Sequence, residues 1–281
     1  WIESKEKLSI EDMKILQNDR LSSFAREITP DIIRHLPKNL GGNHKVAYDY
    51  LKNWDYIENP DSEATLVFHV VLNELLNNIY KDELDLVDEK AFDALMHFSM
   101  LPYRNIHWVL SKGESSWIDD VRTNNKKESL KEIIIKSFDS AVKQIENEVG
   151  VNPAVWSWGS LHTLTHPHPL GKVKFLDLLF GFNVGPYKAG GSTMTVNKGE
   201  YEILEGFDQS VGASFRRIVD MSNMNATQFI IPTGQSGQQN NRHYLDQAHL
   251  YHRGLYRTTY IDENFIRSNN QFKHLILYPQ Q

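Results

Sequence analysis

The stretch that decides how this chain is read is Val155-Trp156-Ser157-Trp158-Gly159-Ser160-Leu161-His162, followed at once by Thr165-His166-Pro167-His168-Pro169-Leu170-Gly171. Before Pro153, apolar residues recur every three to four positions; after it that rhythm fades. Short β-branched or alternating runs take its place between glycines and asparagines. Met194 to Val196, Ser214 to Asp220, Thr227 to Pro232 and Phe272 to Tyr278 read as strands. The remaining blocks of this half are Gly190-Gly191-Ser192-Thr193-Met194-Thr195-Val196-Asn197, Gly212-Ala213-Ser214-Phe215-Arg216-Arg217-Ile218-Val219-Asp220, Ile231-Pro232-Thr233-Gly234-Gln235-Ser236-Gly237 and His243-Tyr244-Leu245-Asp246-Gln247.

Upstream, the first 150 residues read as helices. Ser9 and Asp12 have the spacing of a capping box, in which hydroxyl and carboxylate satisfy free amides of the first turn. Met13, Leu16, Arg20, Phe24 and Ile28 then share one face, and Thr29-Pro30 suits a fresh helix start. Ala64, Phe68, Val71, Leu75 and Ile79 stack along a helix over 61–80, in an apolar run interrupted by His69, Asn73 and Glu74. A weaker run covers 88–100 and stops near Pro102. The clearest helix spans 128–149, with Leu130, Ile134, Phe138, Ala141, Ile145 and Val149 as its stripe and Gly150 as its stop. Such stripes are core-packing faces. The expected class is α+β, with a mainly helical segment over 1–150 and a β-rich segment over 151–281 as parts of one larger fold.

Composition narrows the function. The 281 residues are 40% hydrophobic and 23% charged, enough to bury a real core. A net charge of −6 gives no electrostatic reason to expect nucleic acid or an anionic membrane as partner. No apolar run approaches the ~18 residues of a membrane span. With no cysteine in the chain, disulfides, thiolate catalysis and cysteine metal sites are excluded.

Two constellations invite a catalytic reading. His162, His166 and His168 fall close together, and His243, His249 and His252 form a second group near Asp246; imidazole and carboxylate are zinc ligands, so a histidine-ligated metal hydrolase is one alternative. Against it, no Glu sits inside the spacing, and Pro167 and Pro169 exclude a regular helix. The bland reading is that these histidines hydrogen-bond loop backbone beneath the tryptophans. Gly234-Gln235-Ser236-Gly237 resembles a nucleophile elbow with the wrong spacing; it reads better as a tight turn anchored by Gln235 and Ser236. Gly185-Pro186 and Gly190-Gly191 lack any phosphate-loop pattern. Arg216 and Arg217 should face opposite sides of one strand, and Asn225-Ala226-Thr227 matches a glycosylation sequon.

In their order and spacing, the blocks quoted above resemble the carboxy-terminal part of the heavy chain of penicillin acylases (penicillin amidases). Leu8-Ser9-Ile10-Glu11-Asp12-Met13 to Gln17-Asn18-Asp19, with Ala25 and Pro30, is similar to the helix that opens this portion in the family. The resemblance implies a four-layer αββα sandwich of the N-terminal-nucleophile hydrolase class, cut from a precursor into light and heavy chains. It implies hydrolysis of a linear acyl amide, with phenylacetyl or phenoxyacetyl penicillins and long-chain acyl homoserine lactones as substrate classes. The first heavy-chain residue would be nucleophile and base together, and backbone amides with an asparagine would hold the oxyanion.

Those residues, and the calcium ligands of the family, precede the helix that Ser9 opens here, so no catalytic residue and no metal ligand is carried over to this chain. The implied partners are the upstream part of the heavy chain, a light chain and a small-molecule acyl amide, and the implied location is exported or periplasmic. Trp156, Trp158, Gly159, His162 and His166 match the family's tryptophan-glycine-histidine block, and Gly234, Gln235, Ser236, Gly237, His243 and Asp246 its late loop. The expectation is a packed, hydrogen-bonded layer behind the active-site sheet, with His162, Gln235, Trp156, Trp158, His166 and Asp246 as supporting residues. A non-catalytic binding or assembly module on the same scaffold is the other alternative.

Overall fold

A computed structural model describes residues 1–273, 275 and 277–279. The helices follow as α1 (Ile10–Gln17), α2 (Ser23–His35), α3 (Gly42–Lys52), α4 (Glu63–Val87), α5 (Ala91–His97), α6 (Met100–Lys112), α7 (Leu130–Glu148), α8 (Lys174–Phe180), α9 (Ala248–His252) and α10 (Glu263–Ser268). The strands are β1 (Thr163–His166), β2 (Val184–Lys188), β3 (Gly199–Tyr201), β4 (Gln209–Gly212), β5 (Arg216–Ile218), β6 (Ala226–Ile230) and β7 (Arg257–Tyr260). They pair antiparallel as β1-β2, β3-β4 and β5-β6-β7. Among the described residues no helix is long and apolar enough to cross a membrane.

The chain forms two compact units, one of residues 19–212 and one of residues 1–18 with 213–281. In the first, α4 is the central element. Ser62 caps it by accepting from the Thr65 amide, and the expected stripe of Ala64, Phe68, Val71, Leu75 and Ile79 is buried, together with Leu66, Val67, Val70 and Leu72. It packs along α7, whose Leu130, Ile134, Phe138, Ala141 and Ile145 are all buried. Ser129 and Glu132 form a full capping box at the start of α7, and Gly150 follows its end with φ 129°.

In the second unit, Ser9 and Asp12 form the expected capping box of α1. The three-stranded sheet turns Arg216, Ile218 and Ile230 inward, while Arg217 is exposed, as strand alternation requires. The Arg216 guanidinium lies 4.2 Å over the Tyr251 ring of α9 and donates to the Tyr251 carbonyl at 3.1 Å. Asn225 of the sequon is part of the fold, its Oδ1 accepting from the Ile261 and Asp262 amides.

Several expectations change. The face expected to run from Met13 to Ile28 is split, because α1 ends at Gln17 and Ser22 starts α2 by capping the Ala25 amide. Thr29-Pro30 is not a start: both lie inside α2. A proline there forfeits one backbone hydrogen bond and costs ~3 kcal/mol, but Pro30 points to solvent while Phe24, Ala25, Ile28 and Ile32 are buried, so packing carries the helix past it. Pro102 likewise does not stop a helix but sits in the first turn of α6, where its missing N–H has no partner to lose.

Met194 to Val196 is a turn, not a strand. The Thr195 hydroxyl accepts from the Ser192 amide (2.9 Å) and Ser192 Oγ from the Met194 amide (3.2 Å), so local hydroxyl bonds displace a strand ladder. Of the strand expected over 272–278, His274 and Ile276 lie outside the described residues, and the other residues of that run are not in a strand.

Candidate functional site

The long helix α4 is buried on nearly every side, yet it carries His69 and Asn73 one turn apart on an interior face. Buried polar groups need partners. They find them around Tyr201 of β3: its hydroxyl lies 3.1 Å from His69 Nδ1, donates to Asn73 Oδ1 at 3.4 Å and accepts from the Tyr103 hydroxyl at 3.4 Å. Burial pushes both phenols well above their ordinary pKa, so they act as hydroxyl donors.

Glu58 reaches the same interior from a turn fixed by Tyr56, whose φ of 64° is left-handed. Its amide donates to the Arg20 carbonyl and its carbonyl accepts from the Gly191 amide at 2.8 Å. A Cβ on Gly190 would come within 2.7 Å of that carbonyl, so Gly190-Gly191 serves close chain approach rather than phosphate binding. The Glu58 side chain has no exposed surface, and one oxygen lies 3.4 Å from His69 Nε2. Neither carboxylate oxygen receives a hydrogen bond among the described residues.

Trp158 joins these groups to the quoted motif. Its ring is sandwiched between His69 (4.4 Å between centroids, 18° between planes) and His162 (4.5 Å, 11°). Its indole N–H donates to the Gly191 carbonyl at 3.1 Å, and its backbone amide to the Ser62 carbonyl at 3.0 Å, tying the motif to the loop that caps α4. His162 Nδ1–H donates to the Phe207 carbonyl at 2.6 Å. Burial lowers the His162 pKa to about 4, outweighing that carbonyl, so the ring is neutral at pH 7. Its Nε2 lies against Gly199, where an added Cβ would sit 2.9 Å away. Trp156 N–H caps the Gly150 carbonyl after α7 at 2.7 Å. His166 on β1 is half-buried, and burial lowers its pKa.

Glu58, His69, His162 and Tyr201 are between 0 and 2% exposed, which denies them direct contact with a substrate. The cluster can therefore hold elements in place but cannot itself attack an amide. Its main members beyond the motif, Glu58 and Tyr201, carry no sequence signal of their own. His69 and Asn73 do: they are the polar interruptions of an apolar helical run.

In the other unit, the late loop forms a cavity of about 450 Å³ lined by Phe229, Gln235, Ser236, His243, Asp246 and Arg257, among others. Asp246 Oδ2 accepts from His243 Nδ1 at 2.9 Å and Arg257 NH1 at 3.0 Å. Burial alone would raise the Asp246 pKa, but these two donors together bring it below the ordinary value. Arg242 Nε–H donates to His243 Nε2 at 2.9 Å, so both His243 nitrogens are engaged and neither is free to take a proton from Ser236. Ser236 Oγ accepts from the Gln238 amide, and the Ser236 amide donates to the His243 carbonyl. A Cβ on Gly234 would meet that same carbonyl at 2.0 Å. The segment is a pinned tight turn. Ser236 anchors it as expected, whereas Gln235 is exposed on the cavity wall.

The six residues singled out from the sequence thus belong to two compact units: Trp156, Trp158, His162 and His166 to one, Gln235 and Asp246 to the other. Among the described residues no group of three or more His, Asp or Glu side chains is arranged to hold a metal ion.

The fold is mixed α+β, with small antiparallel sheets. A thermostable penicillin G acylase from Alcaligenes faecalis matches 99% of this chain and 51% of its own, with a TM-score of 0.57 at 17% identity. The penicillin amidase family profile matches residues 1–268, and the chain belongs to that family. Among curated relatives, the acyl-homoserine lactone acylase QuiP of Pseudomonas syringae pv. tomato is 28% identical over 87% of this chain. The protein of the same name from Pseudomonas aeruginosa is 28% identical over 79%. The chain spans 30% and 27% of the length of these two relatives.

Proposed function

We propose that this chain is the C-terminal portion of an acylase that hydrolyses a linear acyl amide, and that its nucleophile lies outside residues 1–281. The observation that carries this is the match of the penicillin amidase profile across residues 1–268, in a chain that spans 30% of the length of the Pseudomonas syringae pv. tomato acylase. The order of the motifs supports a position late in the heavy chain. In the complete enzyme, the amine of the first heavy-chain residue takes the proton of its own hydroxyl or thiol as that group attacks the amide carbon. The amine product leaves with a proton, and water then releases the acyl group as a carboxylic acid. This chain supplies none of those groups. It supplies the packed support, with Trp158 and His162 locking one unit and the His243–Asp246–Arg257 set pinning the late loop of the other.

Acyl homoserine lactones are the substrate class we favour, because the curated relatives carry that activity in their names. The test is to assay this chain alone, and then the polypeptide encoded by its whole gene, against a long-chain acyl homoserine lactone and a phenylacetyl amide. Mass spectrometry and amino-terminal sequencing should accompany the assay. We expect no turnover by this chain, and turnover by a processed protein whose heavy chain starts with Ser, Thr or Cys and contains Trp1 internally. Turnover by residues 1–281 alone overturns the proposal, as does a whole gene product with no such processed chain.

A further inference from the structure

The short helix α8 is amphipathic in the reverse sense. Its acidic residue is the one tied down: Asp177 Oδ1 accepts from the Asn183 amide at 2.7 Å and Oδ2 from Asn183 Nδ2 at 3.0 Å. Asn183 Nδ2 also donates to the Gly171 carbonyl at 3.2 Å, and its Oδ1 accepts from the His168 amide at 2.8 Å. The fit is close, since a Cβ on Gly171 would fall 2.2 Å from Asn183 Oδ1. Gly181, with φ 62°, closes the helix behind it. This polar knot sets the rotation of the helix, and the rotation turns Phe175, Leu178 and Leu179 outward, 70%, 87% and 61% exposed. Leu170 and Val173, in the segment leading into the helix, are each about half exposed.

Seven residues are too few to hold a helix by propensity alone, and a contiguous apolar patch on a fixed element marks a contact surface. We propose that the apolar face of α8 is a seat for the rest of the acylase: an apolar segment of the same gene product, outside residues 1–281, packs on Phe175, Leu178 and Leu179. This rests on the reading of the chain as part of a larger acylase. The occupant follows from how much chain is left over: about 70% of the first relative's length and about half of the penicillin G acylase chain have no counterpart here. Interfaces between parts of one permanent assembly are the apolar kind. A membrane surface fits less well, because surface-seeking helices surround their apolar face with many cations. Here the chain carries a net charge of −6, and α8 itself has one lysine, Lys174.

The test is hydroxyl-radical footprinting, read by peptide mass spectrometry, on this chain alone and on the processed product of the whole gene. Phe175, Leu178 and Leu179 should be modified several-fold more slowly in the whole protein, while the already buried Phe138 stays equally unreactive in both. Equal rates at α8 in a whole protein that hydrolyses its acyl amide overturn this proposal and leave the acylase reading intact. Protection at α8 without amide turnover supports the seat and counts against the acylase reading. Protection that instead appears when phosphatidylcholine–phosphatidylglycerol vesicles are added to this chain, or with rising concentration of this chain, overturns it in favour of a lipid surface or a second copy. As a second measure, L178D should lower the denaturant midpoint of the whole protein and leave that of this chain alone unchanged. An unchanged midpoint in the whole protein overturns the proposal.

Discussion

His162 gives its one ring proton to the Phe207 carbonyl and lies flat on Trp158, so the interior holds it neutral. Burial lowers its pKa to about 4, against an ordinary value of 6.5. Between those values the unfolded chain binds a proton that the folded chain refuses. The stability His162 allows is therefore complete above pH 6.5 and is lost as pH falls toward 4, by on the order of 3 kcal/mol. Urea unfolding at pH 7.5 and pH 4.5 should show that loss, and His162→Phe should flatten it. Glu58 calls for a different experiment. Its carboxyl group lies 3.4 Å from His69 and receives no hydrogen bond among the described residues, so His69→Phe leaves a buried polar group without that neighbour and should cost ~1–3 kcal/mol. Glu58→Leu with His69→Phe should recover much of that loss in the same urea titrations. The motif made His162 and the tryptophans legible because aromatic and glycine spacing is written locally. Glu58 was not, since its burial depends on the left-handed Tyr56 and on a bond from Gly191, far away in sequence.

Helices whose signals are local read well at the scale of elements. The capping box at Ser9 and the stripes of α4 and α7 stand where the spacing puts them. Ser129→Ala should cost ~1 kcal/mol, because the Glu132 amide loses its acceptor; thermal unfolding measures it. The misreadings share one cause, a local preference overruled by something else. Proline propensity lost to the buried face of α2, and the β-branched Thr195 and Val196 lost to hydroxyl bonds that close a turn. Strand boundaries were the weaker reading, since a three-residue strand such as β5 has too few alternations to declare its ends.

At the scale of the whole molecule, residues 19–212 are one continuous segment with its own core, whereas the other unit joins 1–18 to 213–281. A polypeptide of residues 19–212 should therefore unfold cooperatively by itself. Residues 213–281 should show little amide protection in hydrogen exchange until a peptide of residues 1–18 is added. The family resemblance carried the fold, but this division is invisible to a linear reading, because no linker or shift in composition marks position 18 or 212. What binds the two ends is specific: Gln17 Nε2 donates to the Arg217 carbonyl at 3.1 Å, and the Tyr256 hydroxyl donates to Gln17 Oε1 at 2.7 Å. A ribosome makes α1 about two hundred residues before its partner strand β5. At ~5–20 residues per second, that is a gap of roughly 10–40 s. Throughout it α1 has been made without β5, so a chaperone or protease acting during synthesis can reach that helix before its sheet exists.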